Sequence, residues 1–504
     1  MLGPQNLELK KTKYDNRSLS MSTPQPIADT SSNTEAEYLR GILDRQKAAF
    51  LKNGAPSYKD RINTLNTLKS AIGDYRTQIV DAVMSDFGHR SPHETIATEF
   101  LSPVGEIQMT KMKLKGWMKQ KKAPFSLQAG TGTGKVLYQP KGVVGVMGAW
   151  NYPAFLIFSP LIGVIAAGNS SIIKPPDQSV ALGEVLTDLF KNNFDEDFMS
   201  LVTGDINMSV EFTKLPFDHI VYTGGTEIGR KVMVEAAKNL CPVTLEMGGK
   251  SPVILADNYP IKKAVPRILM GKFINSGQTC IAPDYLLMSE GRQQEFIDTA
   301  SEELAKRYPT LNNNEDITWI VNDRHYARVN HLIEDAVAKG AKLHQVNPQN
   351  ETITEGHRVI PPSFLTNVDD SMAVMQEEIF GPVLPIKTVG SVDEAVNYVN
   401  DRPRPLALYY FDKSKAKANE VMQNTISGGA CVNETMLHIA HENMPFGGSG
   451  PSGLGAYHGF DGFVEFSHKK GIFYEGPFSP ASILKPPYGP KVLKAMNWIA
   501  GKMA

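Results

Sequence analysis

The spacing of apolar positions changes character along the chain. Leu39, Ile42, Leu43 and Phe50 recur at roughly helical intervals behind a Thr34-x-x-Glu37 spacing of the capping-box type, and the run stops at Asn53-Gly54, so folded structure is expected to start near residue 34. A second helical region, residues 58–84, carries Ile62, Leu65, Leu68 and Ile72. Residues 123–134 are rich in Gly, Thr, Pro and Ser, and Lys135-Val136-Leu137-Tyr138 then alternates like a strand, which predicts a projecting hairpin over residues 123–139.

From residue 143 the rhythm becomes strand then helix. Val143-Val144-Gly145-Val146-Met147 precedes an apolar stretch over 155–168, Ser171-Ile172-Ile173 precedes 179–190, Met199-Ser200-Leu201-Val202 precedes 210–213, and His219-Ile220-Val221-Tyr222 precedes 228–237. That order predicts an α/β fold with a doubly wound parallel sheet covered on both faces, the architecture of dinucleotide-binding domains. A second series follows: Pro252-Val253-Ile254-Leu255, a helix over 261–273 that leads to Cys280, and later strands over 382–386 and 406–410. The glycine-dense Pro445-Phe446-Gly447-Gly448-Ser449-Gly450 is a loop returning to a site or a domain interface, and residues 462–473 are strand-like.

Length and composition narrow the functional classes. At 504 residues the chain exceeds what one core usually serves, so two or three domains are expected. Hydrophobic residues at 41%, charged residues at 21% and a net charge of -1 describe a globular protein with no field for collecting polyanions, so nucleic acid is excluded as a partner. Three cysteines, Cys241, Cys280 and Cys431, are too few for a disulfide scaffold and point to a reducing, cytoplasmic compartment. Residues 1–33, rich in Ser, Thr, Asn, Gln and Lys, resemble a disordered leader rather than a signal peptide. The apolar run 155–168 is shorter than the roughly 20 residues a span requires and is interrupted by Pro160, so it is read as a buried core helix and no transmembrane segment is expected. Residues 491–504 form a short amphipathic pattern, with Val492, Met496 and Ile499 near one face and Lys494 and Lys502 elsewhere; packing on the protein's own body is the favoured reading over a membrane surface.

Candidate chemistry centres on Cys280 in Asn275-Ser276-Gly277-Gln278-Thr279-Cys280, a cysteine in a polar, glycine-broken setting. Free cysteines are commonly buried as small hydrophobes, and Cys241 and Cys431 are read that way. Cys280 with Glu246, which ends an apolar strand before two glycines, instead has the makings of a nucleophile and its base. Asn151 in Trp150-Asn151-Tyr152-Pro153 either caps the apolar helix or donates to an oxyanion. Lys174 and Asp177, in Lys174-Pro175-Pro176-Asp177, end another strand, where ligands of open α/β sheets bind; taken in isolation, a solvated loop is the favoured reading. Gly224-Gly225-Thr226-Glu227-Ile228-Gly229 opens a helix after a strand, a weak phosphate signal by itself. His438 and His441 have H-x-x-H spacing but no third ligand or glutamate base, so no metal is expected.

In that order, W-N-Y-P, K-P-x-D, Y-T-G-x-T-x-x-G, L-E-x-G-G-K-S-P, G-Q-x-C, E-E-I-F-G-P and P-F-G-G resemble the NAD(P)-dependent aldehyde dehydrogenase family over residues 35–475. The Tyr152 form of the asparagine motif, Ile281-Ala282-Pro283-Asp284-Tyr285 and Gly455-Ala456-Tyr457-His458-Gly459 resemble the class 3 branch, and Lys485-Pro486-Pro487-Tyr488-Gly489 leans to its bacterial coniferyl aldehyde dehydrogenases. The resemblance implies a cofactor-binding domain over 34–122 and 141–247, a catalytic domain over 248–445, oligomerisation strands over 123–140 and 460–475, a tail over 476–504, and a homodimer. It implies Cys280 as nucleophile, Glu246 as general base, and Asn151 with the Cys280 backbone N–H as oxyanion donors. Lys174 and Asp177 match adenosine-ribose contacts, Gly224, Thr226 and Gly229 the pyrophosphate turn, and Glu378 and Phe380 contacts to the nicotinamide ribose and ring. NAD is expected; Asp177 stands where glutamate is more usual, which shortens its reach toward the ribose 2′-hydroxyl and keeps NADP possible, and Gly225 stands where serine is frequent, which removes one hydroxyl contact to phosphate. Tyr152, Thr279, Tyr285 and Phe446 are expected in the substrate pocket, which suits an aromatic or a medium- to long-chain aldehyde. An acylating dehydrogenase using coenzyme A, a thiol hydrolase or acyltransferase, and an inactive NAD-binding scaffold are the competing readings.

Overall fold

The continuous apolar run Val143–Met147 is buried at every position and pairs in parallel on both sides, as a central strand of a two-faced sheet must. In the computed structural model, which describes residues 30–126, 129–478 and 485–503, this strand lies inside a six-stranded sheet ordered Gly453–Leu454, Val243–Met247, His219–Gly224, Val143–Met147, Ser170–Lys174 and Met199–Leu201. All neighbours are parallel except Gly453–Leu454, which returns from far along the chain to pair antiparallel with the strand carrying Glu246. The apolar helix Phe155–Ala167 is buried along almost its whole length and packs against this sheet.

A seven-stranded sheet follows, ordered Lys342–Gln345, Ser363–Thr366, Val383–Thr388, Tyr285–Met288, Pro252–Leu255, Ala407–Phe411 and Gly429–Val432, parallel except at its Lys342–Gln345 edge. A small antiparallel sheet joins Lys121–Lys122, Thr133–Pro140 and Ser467–Tyr474. The fold is therefore α/β, with two mainly parallel sheets and a small antiparallel one.

Several local expectations are corrected. Most of the expected leader, residues 1–29, lies outside the described residues, but a helix already runs over Thr30–Asn53, so Thr34 sits inside it rather than at its cap. A Thr-x-x-Glu spacing fits a helix interior as readily as its start. The helical region 58–84 is two helices, Tyr58–Asp74 and Arg76–Phe87, broken at Tyr75. The strand-like 462–473 begins as the helix Gly459–Glu465; Phe460 and Phe463, three residues apart, share one helical face and pack on Trp117 and Tyr138. The C-terminal helix Pro490–Met503 does form, but Leu493, Met496, Trp498 and Ile499 are exposed, so it does not pack its apolar face on the body. No helix among the described residues is long and apolar enough to cross a membrane.

Candidate active site

The carboxyl ends of the parallel strands converge on one crevice, the usual ligand position in open α/β sheets. Lys174 and Gly224 end their strands, Glu246 is next to last in its own, and Asn151 lies in the loop after Val143–Met147. From the other sheet, the helix Ile261–Phe273 leads through a tight turn to Cys280. That turn requires unusual backbone: Asn275 and Ser276 adopt left-handed φ values of 52° and 51°, and Gly277 follows at φ 74°. A Cβ on Gly277 would meet the Gly381 carbonyl oxygen at 2.4 Å, so only glycine fits there.

Buried amides lock the turn. Gln278 donates through Nε2 to the carbonyls of Asn275 (3.0 Å) and Trp319 (3.0 Å), and its Oε1 accepts from the Val321 N–H (2.9 Å). Asn275 Nδ2 donates to the carbonyls of Asn151 (3.0 Å) and Gln278 (3.1 Å), and Asn151 Nδ2 donates to the Gln278 carbonyl (3.1 Å), tying the asparagine loop to the cysteine turn.

Asn151 does not cap the apolar helix. The Glu99 carboxylate does, accepting from the N–H groups of Ala154 (3.0 Å) and Phe155 (2.7 Å) and from Arg90 (2.8 Å), which also donates to the Asn151 carbonyl at 3.1 Å. The Arg90–Glu99 pair is wholly buried. Removing one partner of such a pair typically costs about 3–5 kcal/mol, because the other charge is left uncompensated. Sequence reading missed both residues, since nothing local marks Arg90 or Glu99 as neighbours of Asn151.

Two cavities meet at this point. One, about 500 Å³, is lined by Trp150, Asn151, Lys174, Pro175, Asp177, Gly224, Gly225, Arg328, Glu378 and Phe380 among others. The second, about 340 Å³, is lined mainly by apolar groups, including Phe155, Leu156, Ile281, Phe446 and Tyr457. Cys280, Glu246 and Thr223 line both.

In the larger cavity Lys174 Nζ donates to Asp177 Oδ1 (2.5 Å) and to the Pro175 carbonyl (2.9 Å), and Ser209 donates to the same Asp177 oxygen (2.9 Å). The loop bearing Glu378 and Phe380 is anchored by Asp284, which accepts from the Ile379 N–H (2.9 Å) and from Lys250, and by Arg328, which donates to the Glu378 carbonyl (3.1 Å). These contacts assign structural work to the lysine of L-E-x-G-G-K-S-P and the aspartate of I-A-P-D-Y. Phe380 sits at φ 51° with its ring edge-on to Trp150. Glu378 Oε1 is buried with no partner, and burial pushes its carboxyl up to about 8. A long crevice with two glycines at one helix start, a lysine and a carboxylate at one strand end, and an unpartnered buried carboxyl oxygen farther along fits a dinucleotide.

Other predicted residues fall elsewhere. Thr226 starts the helix Thr226–Lys238, and its hydroxyl donates to the Pro451 carbonyl (3.3 Å) instead of lining the cavity. Gly229 faces Met247, whose Sδ would lie 2.5 Å from an added Cβ, so it lets helix and strand approach closely. Tyr285 is not in the substrate cavity. It is buried in the strand Tyr285–Met288 and packs with Leu287 in one core, against Tyr398, while Leu286 faces the other; the two-residue period turns it away from Cys280. Tyr152, Thr279 and Phe446 do line the smaller cavity, and the Tyr152 and Thr279 hydroxyls hydrogen-bond each other at 2.7 Å. His438 is buried beside Cys431, with Nδ1 3.3 Å from its Sγ, whereas His441 is exposed.

Electrostatically the junction is unsettled. Both Glu246 oxygens are buried without partners, and burial holds its carboxyl well above the usual range. Cys280 is half-buried; desolvation, then Glu378 and Glu246, push its thiol upward against the pull of the Cys280 and Ile281 backbone N–H groups. Cys280 and Glu246 thus face the same two cavities, each biased by burial toward its neutral form.

Residues 10–472 match the family model described as the aldehyde dehydrogenase family. The chain belongs to the aldehyde dehydrogenase family. It is 43% identical over 94% of its length to a probable coniferyl aldehyde dehydrogenase of Caulobacter vibrioides, covering 98% of that protein. It is 37% identical over 90% of its length to aldehyde dehydrogenase family 3 member A2 of Mus musculus, covering 92% of it. A substrate-bound structure of Staphylococcus aureus AldH superposes with a TM-score of 0.85 at 35% identity, over 91% of this chain and 99% of that one. The chain is thus an NAD(P)-dependent aldehyde dehydrogenase of the class 3 type, and it oxidises an aldehyde to the acid.

Proposed function

We propose that this aldehyde dehydrogenase oxidises an aromatic aldehyde of the coniferaldehyde type through a covalent Cys280 adduct, with Glu246 as the base that releases the acid. The observation that carries the reading is the overlap of the two cavities: Cys280 and Glu246 line both the apolar chamber and the dinucleotide crevice. In this reading the Cys280 sulfur adds to the carbonyl carbon while its proton leaves to water, so that Glu246 is free to act as a base later. The oxygen that becomes anionic is held by Asn151 Nδ2, whose second N–H is left over after the bond to the Gln278 carbonyl, and by the Cys280 backbone N–H. A nicotinamide held by Glu378 and Phe380 would supply the hydride acceptor, so that the adduct loses its C–H hydrogen as hydride and becomes a thioester. Glu246 then takes a proton from water as that water attacks the thioester carbon, freeing the acid and the thiol. A base already present at the thioester favours water over coenzyme A as the acceptor.

Lys174 and Asp177 are assigned to the adenosine ribose, Gly224 and Gly225 to the pyrophosphate, and Glu378 with Phe380 to the nicotinamide end. An Asp177 carboxylate at the ribose favours NAD, whose 2′-hydroxyl donates to it, over NADP, whose phosphate it repels. Phe155, Phe446 and Tyr457 give the chamber an aromatic lining, and the Caulobacter relative bears the coniferyl name. The exposed edge strand Ser467–Tyr474 supports a homodimer in which it pairs across subunits, for which light scattering is the check: a monomer removes that assignment. The function is tested by reduced-cofactor absorbance with coniferaldehyde, benzaldehyde and hexanal to dodecanal, NAD and NADP in parallel. The expected order is coniferaldehyde with NAD first; an aliphatic optimum refutes the substrate assignment, and equal rates with NADP refute the role of Asp177.

A further inference from the structure

The chemistry assigned above uses Cys280, Glu246 and Asn151, while Tyr152 and Thr279 satisfy each other. Among the polar side chains in the wall of the apolar chamber that have no assigned work, His458 and Glu106 stand out as buried titratable groups.

His458 is 4% exposed and held by rings on several sides, stacked on Phe446 at 5.3 Å and 17° and edge-on to Tyr457 and Phe155. Its backbone sits at φ 89°, a conformation that a residue with a Cβ adopts only when its surroundings force it, and its Nε2 is buried without any hydrogen-bond partner. Unlike the other unpartnered histidine nitrogens, it belongs to a side chain in the wall of the apolar chamber, where a bound molecule could satisfy it. Burial, reinforced by His438 nearby, lowers the His458 pKa to about 3, so the imidazole is neutral and carries one donor and one acceptor.

Glu106 is 5% exposed, and one of its oxygens accepts from the Ser159 hydroxyl at 2.7 Å. Burial and the neighbouring Glu442 raise its carboxyl to about 8, against the pull of Ser159, so near neutral pH it is mostly a carboxylic acid that both donates and accepts. An aliphatic or plain aromatic aldehyde offers these groups nothing. A hydroxyl offers each what it lacks, an O–H for a ring nitrogen and a lone pair for an acid proton.

We propose that His458 and the Glu106 carboxyl form a recognition point for a hydroxyl group carried by the aldehyde away from its carbonyl, so that phenolic aldehydes are selected over their methyl ethers. The proposal rests on the reading of this chamber as the aldehyde site. It makes the two residues determinants of specificity rather than of the reaction, because a site built to hydrogen-bond a hydroxyl is left with unpaired buried groups when the hydroxyl is missing.

The test is the ratio of kcat/KM for 4-hydroxycinnamaldehyde to that for 4-methoxycinnamaldehyde, with hexanal as the baseline. The wild-type ratio is expected to exceed about tenfold, the scale of one net hydrogen bond. His458→Phe keeps the ring stack and removes both nitrogens; it should bring the ratio close to one while leaving hexanal within about twofold of wild type. Glu106→Leu should compress the ratio in the same way, and Glu106→Gln, which still donates and accepts, should largely retain it. A wild-type ratio near one overturns the proposal, as does a His458→Phe enzyme in which all three aldehydes fall in parallel, the mark of a purely structural residue. If no aldehyde is turned over at all, the assigned function fails separately. The proposal is then read by calorimetric binding of 4-hydroxybenzyl alcohol and 4-methoxybenzyl alcohol to the wild-type protein: preference for the hydroxyl supports it, and equal binding overturns it.

Discussion

The two cavities that share Cys280 differ most at the strand ends that enter the larger one. In the dinucleotide crevice the strand-end polar groups already have partners: Lys174 holds Asp177 and two carbonyls, and Ser209 steadies the same carboxylate. At the junction and in the apolar chamber, both Glu246 oxygens and His458 Nε2 stand unpaired, while in the crevice Glu378 Oε1 and His325 Nε2, away from the strand-end groups, are unpaired as well. A paired group is preorganised for a ligand that arrives with its own hydroxyls and phosphates. An unpaired buried group carries a cost in the free protein that is relieved only when substrate, water or cofactor reaches it. Binding is thus concentrated on one side and chemistry at the meeting point, and mutations on the two sides should fail differently.

The largest effect is expected from Cys280→Ala, which removes the proposed nucleophile. Aldehyde oxidation should fall to background while NAD binding, followed by calorimetry or fluorescence, stays within a few-fold of wild type; loss of both would mean that the crevice depends on Cys280 and that the division between cavities is false. Asn151→Ala should lower kcat by about 10²–10³, the range for one oxyanion donor, with little change in the KM for NAD. A change confined to KM would place Asn151 in binding instead.

The pH profile separates the two sides further. Glu246 has a pKa raised by burial, so it is protonated, and useless as a base, at pH values where an ordinary carboxylate is ionised. Steady-state kcat should therefore rise with pH through a limb lying above the usual carboxylate range, approaching tenfold per unit on its acid side, and that limb should vanish in Glu246→Gln. The smallest effect is expected from Asp177→Ala: about tenfold weaker selection of NAD over NADP, on the scale of one lost hydrogen bond to a charged group, with kcat nearly unchanged.

The same contrast explains what could be read from the chain. Strands such as Val143–Met147 are continuous apolar runs, and the carboxyl ends of the parallel strands carry the motif residues, so the main sheet and the neighbourhood of Lys174, Gly224 and Glu246 were legible. Partnerships across long stretches of chain were not. Glu99, not the nearby Asn151, caps the apolar helix, and the Arg90 that holds both lies 61 residues before Asn151. Tyr285 looked like a pocket aromatic because it follows the cysteine motif, but the face a strand residue takes depends on register, which its neighbours in sequence do not reveal. The segment around Phe460 and Phe463 carries aromatic residues at a spacing that serves a helix face here, and only its packing on Trp117 and Tyr138 decides the matter.

The central claim is that one cysteine serves both cavities while a separate carboxylate completes turnover. Rapid mixing of Glu246→Gln with aldehyde and NAD, following reduced cofactor, tests it most directly. A first-turnover burst close to the concentration of active sites, followed by a steady state about 10²–10⁴ slower than wild type, is the predicted result for loss of a general base after acylation. A normal steady-state rate without a burst would contradict the account.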